Sequence, residues 1–273
     1  MLASLQRRLA LAGRPSEEIA PSRPYLMRHL LVPVAMLLAL LLAGAAAAPV
    51  PGAYALLIAS EQGIVENATA LLALAGTVPA LGLIRDRHSL PSRWIVPWAA
   101  CFVLGLLFIA GEEISWGQQW FRWDTPEWIG AVNTQNETNL HNYAQWTEDL
   151  PKTVLSLAIL LTGILWPIWA AAGGSGRWIA RSPLHWIWPS AALWPSAVIA
   201  FGLRIAERVV ANLPGADSGA PLFRSLREGL ELFLILFVVA YLVDLRARYR
   251  RRAAYAVARS DTGGMAYARS SRR

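Results

Sequence analysis

Six apolar runs, each near the ~20 residues that carry an α-helix across a hydrocarbon core, leave this chain few ways to fold. They fall near 29–48, 54–84, 94–112, 153–172, 184–205 and 222–245. With 55% hydrophobic residues, 16% charged residues and thirteen Trp, the solvent they imply is lipid. A segment in lipid must satisfy its own backbone, so the expected fold class is an all-α integral membrane protein, a six-helix transmembrane bundle. The second run is longer than a crossing requires and is expected to tilt or project. Pro189 and Pro195, each lacking a backbone donor, are expected to bend the fifth.

Orientation follows from the basic residues. With both termini inside, the cytosolic side receives nineteen of the 25 Lys and Arg, including Arg246, Arg248, Arg250, Arg251 and Arg252. The net charge of +7 then reflects topology, and nucleic acid is not an expected partner. One competing reading treats the first run as a signal peptide, because Ala45 to Ala48 before Pro49 resembles a cleavage site, although its basic leader is unusually long. Residues 1–245 read as one membrane domain, with an outer loop at 113–152. Residues 246–273 read as a basic cytosolic tail, able to touch anionic lipid and disordered toward its end. The single cysteine, Cys101, excludes a disulfide framework within the chain.

The 18 acidic residues sort unequally: five inside, thirteen outside or in the outer third of a span. Glu66, Glu112 and Glu113 are expected near the outer boundary, Glu231 somewhat below it, and Arg204 and Glu207 at the same level. Ionisable groups within a span face protein or water and commonly carry function, so a shared polar cavity open to the outside is expected. The plainer alternative is that Arg224/Glu228 and Arg227/Glu231, each at i,i+4, neutralise one another along one helix. The inner halves of the third, fourth and sixth spans hold almost no ionisable group, which weakens a channel or carrier reading.

Between the third and fourth spans runs GEEISWGQQWFRWDTPEWIGAVNTQNETNLHNYAQWTEDLP. Trp116, Trp120 and Trp123 predict an amphipathic helix lying in the interface or re-entering it. Pro126 is expected to start a second short helix. If the chain is helical from about Glu137, then Glu137 and His141 at i,i+4 share a face, a spacing that lets carboxylate and imidazole reach one divalent metal ion. Glu112 or Glu113 would complete the site. The alternative is a satisfied polar network of Glu112, Glu113, Asn136, Glu137, Asn139 and His141 that pins the loop. Ser115 is either a nucleophile or a helix cap, and Asn67 and Asn136 also open glycosylation sequons.

GEEISWGQQWF followed by NTQNETNLHN resembles the signature of a family of uncharacterised bacterial multi-spanning inner-membrane proteins, over about thirty residues of the chain. The resemblance implies that Glu112, Glu113, Ser115, Trp116, Gln118, Asn136, Glu137, Asn139, His141 and Asn142 are the positions to test, and it lends no reaction, substrate or cofactor. It also implies that the outer face is periplasmic.

Three functions fit. In a membrane-embedded enzyme acting on a lipid or lipid-linked substrate, Glu112, Glu113, Glu137 and His141 would be catalytic, with Glu113, Glu137 and His141 as the metal set. Substrate would be met by Glu66, Glu231, Asn136, Asn139, Trp116 and Gln118, with Arg204, Arg208, Arg224 and Arg227 gripping an anionic headgroup. A non-enzymatic ligand- or partner-binding protein with a structural network is the second, and a small-solute or ion carrier the third. No three-histidine zinc set, Gly-x-Ser-x-Gly elbow or phosphate loop is present.

Overall fold

The computed structural model describes residues 22–50, 52–59, 63–131, 137–139, 145–172, 183–215, 217 and 220–270. All regular structure among the described residues is helical. In chain order the α-helices are α1 (Arg23–Ala47), α2 (Ile64–Arg85), α3 (Ile95–Glu113), α4 (Gln118–Phe121), α5 (Glu127–Gly130), α6 (Gln145–Ile159), α7 (Trp166–Ala171), α8 (Trp194–Ala211) and α9 (Pro221–Ser270). A π-helical stretch, Leu160–Leu165, joins α6 to α7.

Among the described residues four segments are long and apolar enough to cross a membrane: α1, α2, α3 and Asp149–Ala171, which runs through α6 and α7. The remaining two expected spans are interrupted by charge, Arg204, Glu207 and Arg208 in α8 and Glu231 and Asp244 in α9. At 1.5 Å per residue α8 is about 27 Å long and α9 about 75 Å, so α9 reaches far beyond any one bilayer core.

The molecule is apolar inside and out. Leu230, Phe233, Leu242 and Leu245 of α9 are wholly buried, and α9 packs chiefly on α2 and α8 while α2 packs on α3. Leu38 and Leu42 of α1, Leu71 and Val78 of α2, Leu104 of α3, Leu161 of the π-helical stretch and Ile205 of α8 are large, apolar and exposed. Soluble proteins seldom expose so much apolar surface, whereas a lipid-facing exterior is made of it.

Glycines let the helices approach closely, as small residues do in membrane bundles. A Cβ on Gly163 would stand 2.7 Å from Ala197 Cβ and 3.2 Å from the Phe237 ring, and one on Gly76 would stand 2.7 Å from Val239 Cγ2. Gly105 on α3 has nothing within 4 Å of such an atom. Gly163→Leu is therefore expected to cost about 1–3 kcal/mol through overpacking. Gly105→Leu is expected to leave the apparent melting temperature of the detergent-solubilised protein unchanged. Equal losses in both would refute this account of the packing.

Several expectations are corrected. The second run is not one helix: a π-helical turn, Ala55–Ala59, precedes α2. Pro195 sits in the first turn of α8, where its missing N–H costs nothing, and so starts the fifth helix instead of bending it. No amphipathic helix carries Trp116, Trp120 and Trp123, because the backbone turns left-handed at Ser115, Trp116 and Gly117 and leaves only the four-residue α4. Pro126 does precede a short helix, α5. The tail has no backbone break at 245, since α9 runs unbroken to Ser270.

The polar groups of the bundle gather at two ends. At the basic end Asp244, fully buried, accepts from the Tyr25 hydroxyl at 2.5 Å and faces Arg248 Nε at 3.2 Å. There too Asp86 stands 3.6 Å from Arg246 and 3.5 Å from Arg250, and the Trp98 indole donates to the Tyr241 hydroxyl. The acids of the signature gather at the other end.

Candidate functional site

The C-terminus of α3 is where the acidic end begins. Glu113 ends the helix, and φ values of 46° at Ser115, 55° at Trp116 and 97° at Gly117 reverse the chain. Left-handed backbone costs roughly 1–2 kcal/mol for a residue with a Cβ, so Ser115 and Trp116 need compensation. Trp116 obtains it by folding back over the last turn of α3. Its indole donates to Glu112 Oε1 at 2.6 Å, and its ring covers Gly111, where a Cβ would meet it at 2.9 Å. Ser115, fully buried, donates to Glu137 Oε2 at 2.7 Å.

That bond joins the two halves of the signature. Asn139 Nδ2 donates to Glu137 Oε2 at 2.5 Å and to Ser115 Oγ at 3.1 Å. Gln118 donates to Thr125 Oγ1 at 2.7 Å and accepts from the Thr138 backbone N–H at 2.6 Å, while the Trp123 indole donates to Thr138 Oγ1. Glu137 and Asn139 are buried. Ser115, Glu137 and Asn139 form a buried, hydrogen-bonded clasp that holds the loop to α3. Residues 137–139 are not helical, so the expected Glu137/His141 pairing lacks its helix; His141, Asn136 and Asn142 lie outside the described residues.

Glu113 belongs to a different neighbourhood. The charged groups acting on it are Glu231, Glu228, Glu66 and Lys152. Glu113 has no hydrogen bond to a described residue, whereas Lys152 Nζ and Glu231 Oε1 are paired at 2.5 Å, with Arg227 Nε at 3.9 Å from the same oxygen. No group of three or more His, Cys, Asp or Glu side chains is placed to share a metal ion among the described residues. Glu113 and Glu137, two of the three expected ligands, are thus divided between the cavity side and the clasp.

These charged groups meet a cavity. Phe108, Ile109, Pro151, Leu155, Leu234 and Ile235 supply its apolar wall, and Glu112, Glu113, Lys152 and Glu231 its polar one, around about 140 Å³ of water-accessible space. Phe108 is 45% exposed, so the apolar wall is continuous with the exterior of α3.

A third cluster lies between α6 and α8. Arg204 donates to Glu207 Oε2 at 2.9 Å and to Thr153 Oγ1 at 2.5 Å, and Arg208 donates to Asp149 Oδ1 at 3.0 Å. Arg204 and Glu207 are buried, and two arginines face two carboxylates. The headgroup role expected for Arg204 and Arg208 thus meets guanidinium groups already engaged by Glu207 and Asp149.

Sequence reasoning missed Lys152, Asp149 and Thr153. A signal existed for the first: Lys152 is the only lysine of the chain, set beside Pro151 where the fourth span begins. Nothing comparable marks Asp149 or Thr153, whose partners come from α8. No protein-family model, curated protein or solved structure matches this chain.

Proposed function

We propose that this chain is a six-span protein of a bacterial inner membrane, with both termini cytoplasmic and the acidic end facing the periplasm. Its function in this reading is to hold an amphipathic, lipid-type molecule in the cavity between α3, α6 and α9, with Glu113 as the group that exchanges a proton with it. Support for six spans comes from the lengths of α8 and α9 and from the internal pairing of their charges, Arg204 with Glu207 and Asp244 with Tyr25 and Arg248. Support for the orientation comes from Arg246, Arg248, Arg250, Arg251 and Arg252, which follow the apolar half of α9 at the end opposite Glu113.

The observation that carries the functional reading is Glu113 itself. Its carboxyl lines an apolar-walled cavity beside an ion pair and has no hydrogen bond to a described residue. A carboxyl so placed can bind a polar head or act on it as general acid or base, the step that carboxylate-dependent turnover of a lipid or lipid-linked substrate requires. The clasp of Ser115, Glu137 and Asn139 then positions the end of α3 that presents it.

Photoactivatable alkyl probes of one chain length, bearing amine, alcohol or carboxylic heads, test this on protein in neutral detergent. At least one probe is expected to label the segments around Phe108, Leu155 and Leu234. Leu155→Trp, which fills the cavity, is expected to abolish that labelling while leaving size-exclusion and circular-dichroism profiles intact. Labelling confined to the exterior, alike in both proteins, overturns the reading.

A further inference from the structure

The cavity has a sign. Of the four ionisable groups on its wall, Glu112, Glu113 and Glu231 are acidic and only Lys152 is basic. Lys152 already sits 2.5 Å from Glu231, so its charge is taken up by one of the three carboxylates. Beyond the wall, Glu66 and Glu228 add further negative potential at Glu113. Arg224 and Arg227 stand on the same helix turns as Glu228 and Glu231, and Arg227 approaches Glu231 at 3.9 Å. Counting both arginines, five carboxylates face three cations around the cavity among the described residues.

Resting on the lipid-site reading above, we infer that the ligand of this cavity carries a cationic head, an amine or quaternary ammonium joined to an apolar chain. In a surrounding of low dielectric a head of the wrong sign is strongly disfavoured, since like charges at close range repel far more than in water. An anionic head would have to displace Glu231 from Lys152 and still face Glu113. A cationic head meets Glu113, which has neither the ion pair that Lys152 makes with Glu231 nor the indole bond that Trp116 makes with Glu112. The chain of such a ligand has its place against Phe108, Leu155, Leu234 and Ile235, and the exposed Phe108 marks its route in from the bilayer. Glu112, bonded to the Trp116 indole, closes the polar wall on the loop side.

The three-probe labelling experiment decides this separately from the reading it rests on. The amine probe is expected to label the cavity segments at least ten-fold more than the carboxylic probe and several-fold more than the alcohol. Glu113→Gln, which keeps shape and cannot ionise, is expected to erase the preference for the amine, so that the amine and alcohol probes label the cavity to the same extent. If the alcohol or carboxylic probe labels as strongly as the amine, and Leu155→Trp still blocks it, the cationic head is wrong and the lipid site stands. Labelling of the cavity by none of the three overturns both.

Discussion

Arg204→Met is expected to destabilise the protein by about 3 kcal/mol, the lower end of what breaking a buried ion pair costs. The side chains of Arg204 and Glu207 are each 8% exposed, so the variant strands a carboxylate where water hardly reaches. It also removes the bond from Arg204 to Thr153, one of the polar ties between α8 and α6. Arg208 Nε lies 3.6 Å from Glu207 and can take over part of the charge, which keeps the loss from being larger. The matching double variant, Arg204→Met with Glu207→Leu, removes both charges and is expected to recover most of the stability, since an apolar pair of similar volume does as well in such a site. Unfolding in a graded series of denaturing detergent reads the difference. A single variant as stable as wild type would falsify the pairing as a structural element and return Arg204 to the candidates for ligand binding.

Glu137→Ala is expected to release the loop while leaving the bundle folded. Glu137 Oε2 is the shared acceptor for the Ser115 hydroxyl and the Asn139 amide, both buried, and a buried donor that loses such an acceptor costs about 1–3 kcal/mol, with Asn139 keeping its bond to Ser115. The left-handed backbone at Ser115 loses its compensation at the same time, while Trp116 keeps its bond to Glu112. Amide exchange at Thr138, whose N–H is bonded to Gln118, is therefore expected to accelerate by about 30–100-fold, since 1.4 kcal/mol is a factor of ten. Exchange within α9 should not change, because its core contacts lie elsewhere. Glu137→Gln keeps one acceptor oxygen and should fall between the two. Accelerated exchange through α9 as well would show that the loop is part of the bundle's global stability and not a separate clasp.

Much of the site was legible without coordinates. The excess of acids on one side of the predicted topology placed Glu66, Glu112, Glu113 and Glu231 at one level, and Glu113 does feel Glu66 and Glu231. The two halves of the GEEISWGQ and NTQNETNLHN signature form one unit through Ser115, Gln118, Glu137, Thr138 and Asn139. Helix periodicity misled the reading within the loop, because tryptophans four apart look amphipathic whether or not the intervening backbone is helical. Three successive left-handed residues are invisible to a pattern of side chains, and only Gly117 hinted at them.

The alternatives left open at the acids divided between two places. Glu137 and Asn139 belong to a satisfied network, whereas Glu113 faces a cavity. Adjacent carboxylates on one helix end, Glu112 and Glu113, point about 100° apart around its axis, so one meets the folded-back Trp116 and the other meets α9.

By itself the sequence determined that this chain is helical and apolar enough for membrane-crossing segments, because runs of about 20 apolar residues and the distribution of charge are one-dimensional properties. It also determined that the polar groups divide between two ends. Only the tertiary structure decided which polar groups pair, since Lys152 with Glu231, Arg204 with Thr153 and Tyr25 with Asp244 are partners separated by 79, 51 and 219 residues. Helix packing brings those partners together through close approaches at Gly76 and Gly163, and no local pattern in the chain encodes the rotation of one helix against another.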